Sequence, residues 1–310
     1  MGSPLTSADF RRLLQTDLRE VADDIIERDL LASMVPTFFN MATSQKAWEE
    51  YLTVGDFGDI PEFTGELEYL PRYLGWHTKV EHTAYAAGVQ TERQLVDDDQ
   101  YGVIERTVTG MTKATTRTRE KKGADLFKGA FSSAFGYQTN EEGKALCSTT
   151  HLSKSGASTT TGFSNMGTGA FSKANLEAAR LLMYRFKTDI GERFEVSNNW
   201  GIVYPMALDS VVQEVTGTKS GYNTAYSNIN VEAKQNYTLI PYKLLDDNDT
   251  NDWFLVDLTA MKNALVWFDR IKPEYDNVID FETKTLKHSV YFRLSWAWLD
   301  WRWVYGNQVS

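Results

Sequence analysis

The sequence predicts an α+β fold, and three observations carry the prediction. A helical stretch with an apolar stripe opens the chain, a glycine-punctuated β-rich excursion runs between Gln45 and Val96, and a tryptophan-rich strand closes a mixed helical and extended remainder. Of the 310 residues, 42% are hydrophobic and 24% charged, enough apolar side chain for a real core and too little charge for disorder. Length alone fits one large domain or two linked ones.

From Thr6 to Asp29, Phe10, Leu14, Leu18, Val21 and Ile25 recur at helical spacing, and Thr6 or Ser7 offers a hydroxyl cap. The opposite face mixes Arg11, Arg12, Asp17, Arg19, Glu20, Asp23 and Asp24, the pattern of a solvated or partner-binding face. In the excursion, Trp, Tyr, Thr and Val are interrupted by Gly55, Gly58, Pro61, Gly65, Pro71, Gly75 and Gly88, the punctuation of hairpins. Trp76–Gln90 reads as one returning strand. Phe57–Tyr73 lacks alternation and is expected at a mobile tip. A compact domain rarely spends so many residues on a loop without using it.

After Asp97, Asp98 and Asp99 the chain is free of proline as far as Phe135, with its acids first and Lys113, Arg117, Arg119, Lys121 and Lys122 later, an order that complements a helix dipole. The threonines between Thr107 and Thr118 lower helix propensity, so this helix needs tertiary packing. Gly123 is expected to break it, with Leu126, Phe127, Ala130, Phe131 and Ala134 forming a second apolar stripe. Thr139–Ala170, rich in Ser, Thr and Gly, reads as a flexible surface loop. Ser172 caps a helix marked by Leu176, Ala179, Met183 and Phe186 and ending near Gly191. A strand at Gly201–Pro205 and a helix at Met206–Val215 follow, a mixed α/β unit. At the end, Val290, Phe292, Leu294, Trp296 and Trp298 share one strand face, whereas Trp301, Trp303 and Tyr305 fall on the other parity, which requires a bulge or bend near Asp300. So much tryptophan must be buried, within the subunit or between subunits.

The formal charge of −10 is opposite to the footprint of a protein that grips phosphate backbones, so direct, high-affinity nucleic-acid binding is not expected. Cys147 is the single cysteine, which excludes an internal disulfide and fits a reducing compartment. Neither a signal peptide nor a membrane-spanning apolar run is evident, and the chain reads as cytoplasmic. His77 and His82 are an odd number apart in a strand-like stretch, which sends them to opposite faces and defeats shared metal ligation. Cys147 and His151 have the spacing of a nucleophile and its base on a helix, yet lie in a polar loop without a third orienting group, so an incidental thiol is the simpler reading beside a Cys-His hydrolase. Asp246, Asp247, Asp249 and Asp252, like Asp97–Asp99, read as helix-start and turn acids rather than a calcium loop. Lys121 and Lys122 read as a solvated helix end, with a DNA contact as the alternative. The common phosphate, dinucleotide, hydrolase and zincin motifs are missing, so no catalytic residue, cofactor or metal is assigned.

GVQTERQLVDDD (Gly88–Asp99), GKALCSTTHLSKSG (Gly143–Gly156), NNWGIVYPMALDSVVQEV (Asn198–Val215) and the closing VYGN (Val304–Asn307) resemble, in that order, segments of the major capsid proteins of tailed bacteriophages. The likeness is to the Hong Kong-type shell fold, to Mu-like head subunits, and more distantly to encapsulin shells. It implies an N-terminal arm (1–42), an extended loop over a neighbouring subunit (43–96), a peripheral domain with a long spine helix (97–139) and C-terminal strands (281–310), and an axial α/β domain (140–280). The implied function is self-assembly, without enzymatic activity, into hexameric and pentameric capsomers of an icosahedral virion capsid, assembled in the host cytoplasm around double-stranded DNA that it encloses without sequence-specific binding. Scaffold, portal and decoration proteins are the implied partners, with no membrane. An encapsulin-like nanocompartment or another virion component is the alternative. Intersubunit contacts are expected at Phe10, Leu14, Phe57, Glu62, Phe63, Arg72, Tyr73, Trp76, Trp301 and Trp303.

Overall fold

A computed structural model describes residues 24–26, 28, 33–67, 69–92, 94, 103–217 and 230–309. Phe10, Leu14 and most of the opening helix lie outside them, as do Asp97–Asp99. The architecture is α+β, with strands β1 (Asn40–Ala42), β2 (Trp48–Val54), β3 (Leu74–Glu81), β4 (Thr83–Glu92), β5 (Gln138–Asn140), β6 (Met166–Gly167), β7 (Trp200–Tyr204), β8 (Thr238–Pro241), β9 (Trp253–Asp257), β10 (Leu265–Ile279), β11 (Thr285–Trp298) and β12 (Val304–Asn307). They form a four-stranded sheet ordered β1-β10-β11-β4, a five-stranded sheet ordered β6-β12-β9-β7-β8, and a three-stranded sheet ordered β2-β3-β5.

The four-stranded sheet is built on the long β10–β11 hairpin, whose register shifts twice between Asp269 and Glu274. Pro273 lies in the second irregularity, where its missing N–H removes no ladder bond. Successive strand residues point to opposite faces, and β10 shows what each face meets. Trp267 and Asp269 face a helix, Val103–Lys128, whose buried Arg119 donates to both Asp269 carboxylate oxygens at 2.7 and 3.1 Å and lies over the Trp267 ring. Val266 and Phe268 face the other way and pack with Val80 of β3 and Tyr51 of β2. The long helix and the β2–β3 hairpin therefore cover opposite faces of this sheet.

Four sequence expectations are corrected. The long helix runs unbroken through Gly123, because a glycine there admits the Val35 side chain of the short helix Val35–Phe38; a Cβ would stand 2.8 Å from Val35 Cγ2. Trp76–Gln90 is two strands, since at His82 the chain leaves the three-stranded sheet and enters the four-stranded one. His82 is buried at that crossing, with Ser295 Oγ 2.8 Å from Nδ1 and Ser44 Oγ 3.1 Å from Nε2, and burial holds its imidazole below the ordinary range, with Arg293 adding to the effect. The helix after Ser172 does receive its cap, Ser172 Oγ accepting from Asn175 N, but it ends at Met183 rather than near Gly191. The stretch Thr139–Ala170 is no free loop: Cys147, His151, Phe163 and Asn165 are all buried in it.

The bend near Asp300 is found. β11 ends at Trp298, and β12 begins at Val304 in the five-stranded sheet, where it pairs antiparallel with β9 and parallel with β6. Sequence position does not sort the sheets: 281–310 supplies β11 to the four-stranded sheet and β12 to the five-stranded one, and β10, inside 140–280, belongs to the four-stranded one.

Candidate assembly surface

The β2–β3 hairpin is tied down at its base and open at its tip. Gly55 N donates to Tyr73 O at 2.9 Å, and Thr53 Oγ1 donates to Trp76 O at 3.1 Å. Gly75 lies so close that a Cβ there would fall 2.2 Å from Thr53 Oγ1. Lys154 Nζ reaches across from the 139–170 segment to Gly75 O at 3.2 Å and to the Glu141 carboxylate at 2.7 Å, while lying over the Trp76 ring. Glu141 also accepts from His77 N at 3.0 Å.

Beyond this base, residues 55–73 have no strand pairing among the described residues, and the apolar side chains stand in solvent. Ile60 is 89% exposed and Tyr69 91%, with Phe57, Phe63, Leu67 and Tyr73 also exposed. Burying a side chain of this size against a partner is worth ~1.5–3 kcal/mol, and a contiguous exposed apolar run marks an interaction site. The acids Asp56, Asp59, Glu62 and Glu66 are interleaved, and Arg72 covers the Phe57 ring at 5.3 Å. A second apolar tip is the β10–β11 turn, where Phe281 is 83% exposed beside Val278 and Ile279. Sequence reasoning missed this tip. Its signal was an aromatic residue in the turn DFETK, between two strands that bury theirs.

Of the residues expected at contacts, Phe57, Glu62, Phe63, Arg72 and Tyr73 share the exposed loop, and Trp76 is half-buried at its base. Trp301 and Trp303 are corrected: they are 3% and 1% exposed, packed inside the subunit where the chain crosses between sheets, and have no surface left for a neighbour.

Trp301 stacks on the His151 ring at 4.1 Å, nearly parallel. His151 Nδ1 lies 2.9 Å from Glu142 Oε1, and Nε2 lies 3.0 Å from Asn165 Oδ1. This supplies the orienting carboxylate that the sequence did not show, yet no nucleophile. Cys147 is engaged elsewhere: its Sγ packs so tightly against Gly306 that a Cβ there would lie 2.6 Å away, and burial pushes the thiol far above its ordinary pKa, against thiolate chemistry. Asp246 accepts from the amides of Met206 and Ala207, and Asp249 from those of Asn251 and Asp252, so these acids cap turns. Among the described residues no cluster has the donors of a metal site, and no helix is long and apolar enough to cross a membrane.

The sequence pattern of the phage capsid protein family matches residues 78–307. No curated protein matches the chain. Among solved structures, the chain is similar to one of Mycobacterium phage Patience, with a TM-score of 0.57 and 10% identity over 96% of this chain and 88% of that one. It is similar also to the capsid asymmetric unit of cyanophage Pam1, with a TM-score of 0.56 and 9% identity over 87% of each chain. The capsid of a native GTA particle gives a TM-score of 0.55 and 13% identity over 90% of each chain. At these identities the likeness establishes the Hong Kong-type fold, and the pattern from β3 to β12 establishes the kinship: the chain belongs to the phage capsid protein family and is a structural subunit of a phage shell.

Proposed function

We propose that this chain is the major head subunit of a tailed phage, forming the hexameric and pentameric capsomers of an icosahedral shell around double-stranded DNA, and that it performs no chemistry itself. One observation carries the reading: an anchored hairpin holds a long apolar and acidic loop away from its own subunit. Such a loop gains only by lying on a second copy, and a subunit gripped by several neighbours converts modest contacts into a stable closed assembly. A scaffold, a portal and decoration proteins complete the particle, which is assembled in the host cytoplasm.

Electron microscopy of the expressed protein tests this. Closed shells or capsomers with fivefold and sixfold rings are the expected result. Compact monomers under every assembly condition would overturn it.

A further inference from the structure

The long helix Val103–Lys128 buries Val108, Met111, Thr112, Thr115 and Arg119 along one side, and Arg119 meets the four-stranded sheet there at Asp269 and Trp267. On its opposite side Arg106, Gly110, Lys113, Arg117 and Lys121 are exposed, and at ~100° per residue they fall within about 80° of one line. This is a basic stripe. The acid nearest it, Glu120, is engaged by Ser33 Oγ and Met34 N. Arg119, Lys122 and Lys128 pair with Asp269, Asp125 and Asp247, but among the described residues the four stripe cations have no ion-pair partner. In a chain of net charge −10, these cations are segregated on one face.

The alternation along β10 fixes where that face points. The helix lies on one side of the four-stranded sheet and the β2–β3 hairpin on the other. Neighbours in a closed shell present the same side outward, so with the four-stranded sheet lying in the plane of the wall the acidic loop of one copy and the basic stripe of the next fall on opposite sides of it. The stripe needs a different anion.

We propose that the stripe faces the enclosed volume and contacts the phosphate backbone of duplex DNA without regard to sequence; this rests on the shell reading above. A duplex carries one negative charge per ~1.7 Å of axis, and the stripe is about 22 Å long, so phosphates meet it in any register. The overall negative charge keeps each contact weak, and the many copies lining a shell supply avidity.

The test uses unassembled full-length protein and a fluorescent duplex of about 25 base pairs, followed by anisotropy between 50 and 200 mM salt. Four phosphate contacts imply a log–log salt slope near −3.6, a loss of roughly 100-fold across that range. In Arg106→Gln/Lys113→Gln/Arg117→Gln/Lys121→Gln, low-salt binding should fall by a comparable factor and the slope should flatten. A control with Arg185, Lys234, Lys243 and Lys284 changed to Gln loses the same charge from other surfaces and should bind as the wild type does. Absence of wild-type binding at 50 mM, an unaffected stripe variant, or equal loss in the control each overturns the proposal. The milder Arg117→Gln/Lys121→Gln, with about half the slope change, serves if the fourfold variant misfolds. Electron microscopy of the same proteins after transfer to assembly conditions separates the two readings: absence of wild-type shells under every such condition defeats the shell assignment, whereas wild-type shells together with unchanged DNA binding by the stripe variant defeat only the stripe.

Discussion

Asn165 shows how one side chain can hold a polar segment in place. Its Nδ2 donates to Leu146 O at 2.8 Å and Val304 O at 3.2 Å, and its Oδ1 accepts from Ser148 N at 2.8 Å. That orientation makes Oδ1 the acceptor for His151 Nε2 as well, while Nδ1 lies against Glu142 Oε1. Asn165→Ala strands several buried donors and acceptors, each costing ~1–3 kcal/mol. A fall of about 3 kcal/mol in unfolding free energy of the unassembled subunit is expected from the urea midpoint; an unchanged midpoint would show that the network carries no weight. None of this was legible locally. SKSGASTTTGFSNMGTG has the composition of solvent-facing chain, and two of the partners that bury it, Val304 and Trp301, stand 139 and 136 residues away.

The long helix shows two glycines with opposite roles. Gly110 has open space where a Cβ would go, whereas Gly123 faces Val35. Gly110→Ala should therefore stabilise by ~0.5–1 kcal/mol through helix propensity. Gly123→Ala must push Val35 aside, and overpacking of ~1–3 kcal/mol outweighs the same gain. Equilibrium denaturation of the pair should move the midpoint in opposite directions, and a rise in both would show that the Val35 helix yields freely. The sequence located this helix and its need for packing but not its continuity, because a glycine that breaks a helix and one that admits a neighbour look alike. Its threonines are accommodated by back-bonding: Thr112 Oγ1 donates to Val108 O at 2.9 Å and Thr118 Oγ1 to Ala114 O at 2.8 Å. The bend after Trp298 was legible because side-chain parity is a local property that a strand cannot hide.

At the scale of the molecule, the loop 55–73 separates folding from assembly. Its apolar side chains contribute little to the subunit's own core, so Ile60→Ser/Phe63→Ser/Tyr69→Ser should leave subunit stability within ~0.5 kcal/mol of wild type. Shell formation, followed by light scattering and electron microscopy, should be lost or need much higher protein concentration, since each buried anchor forgoes ~1.5–3 kcal/mol at every copy. Normal assembly of that variant would remove the loop from the contacts. The excursion was visible in the sequence as glycine punctuation, but the second tip at Phe281 was not, because exposure of a turn aromatic depends on what the rest of the fold leaves uncovered. The crossing of the chain into β12 has a consequence for the five-stranded sheet. β12 lies between β6 and β9, so a polypeptide stopped upstream of Val304 leaves both of those strands without that partner. Without β12, β9 would keep only β7 beside it and β6 would have no strand neighbour, so the five-stranded sheet closes only once the residues past Val304 are in place.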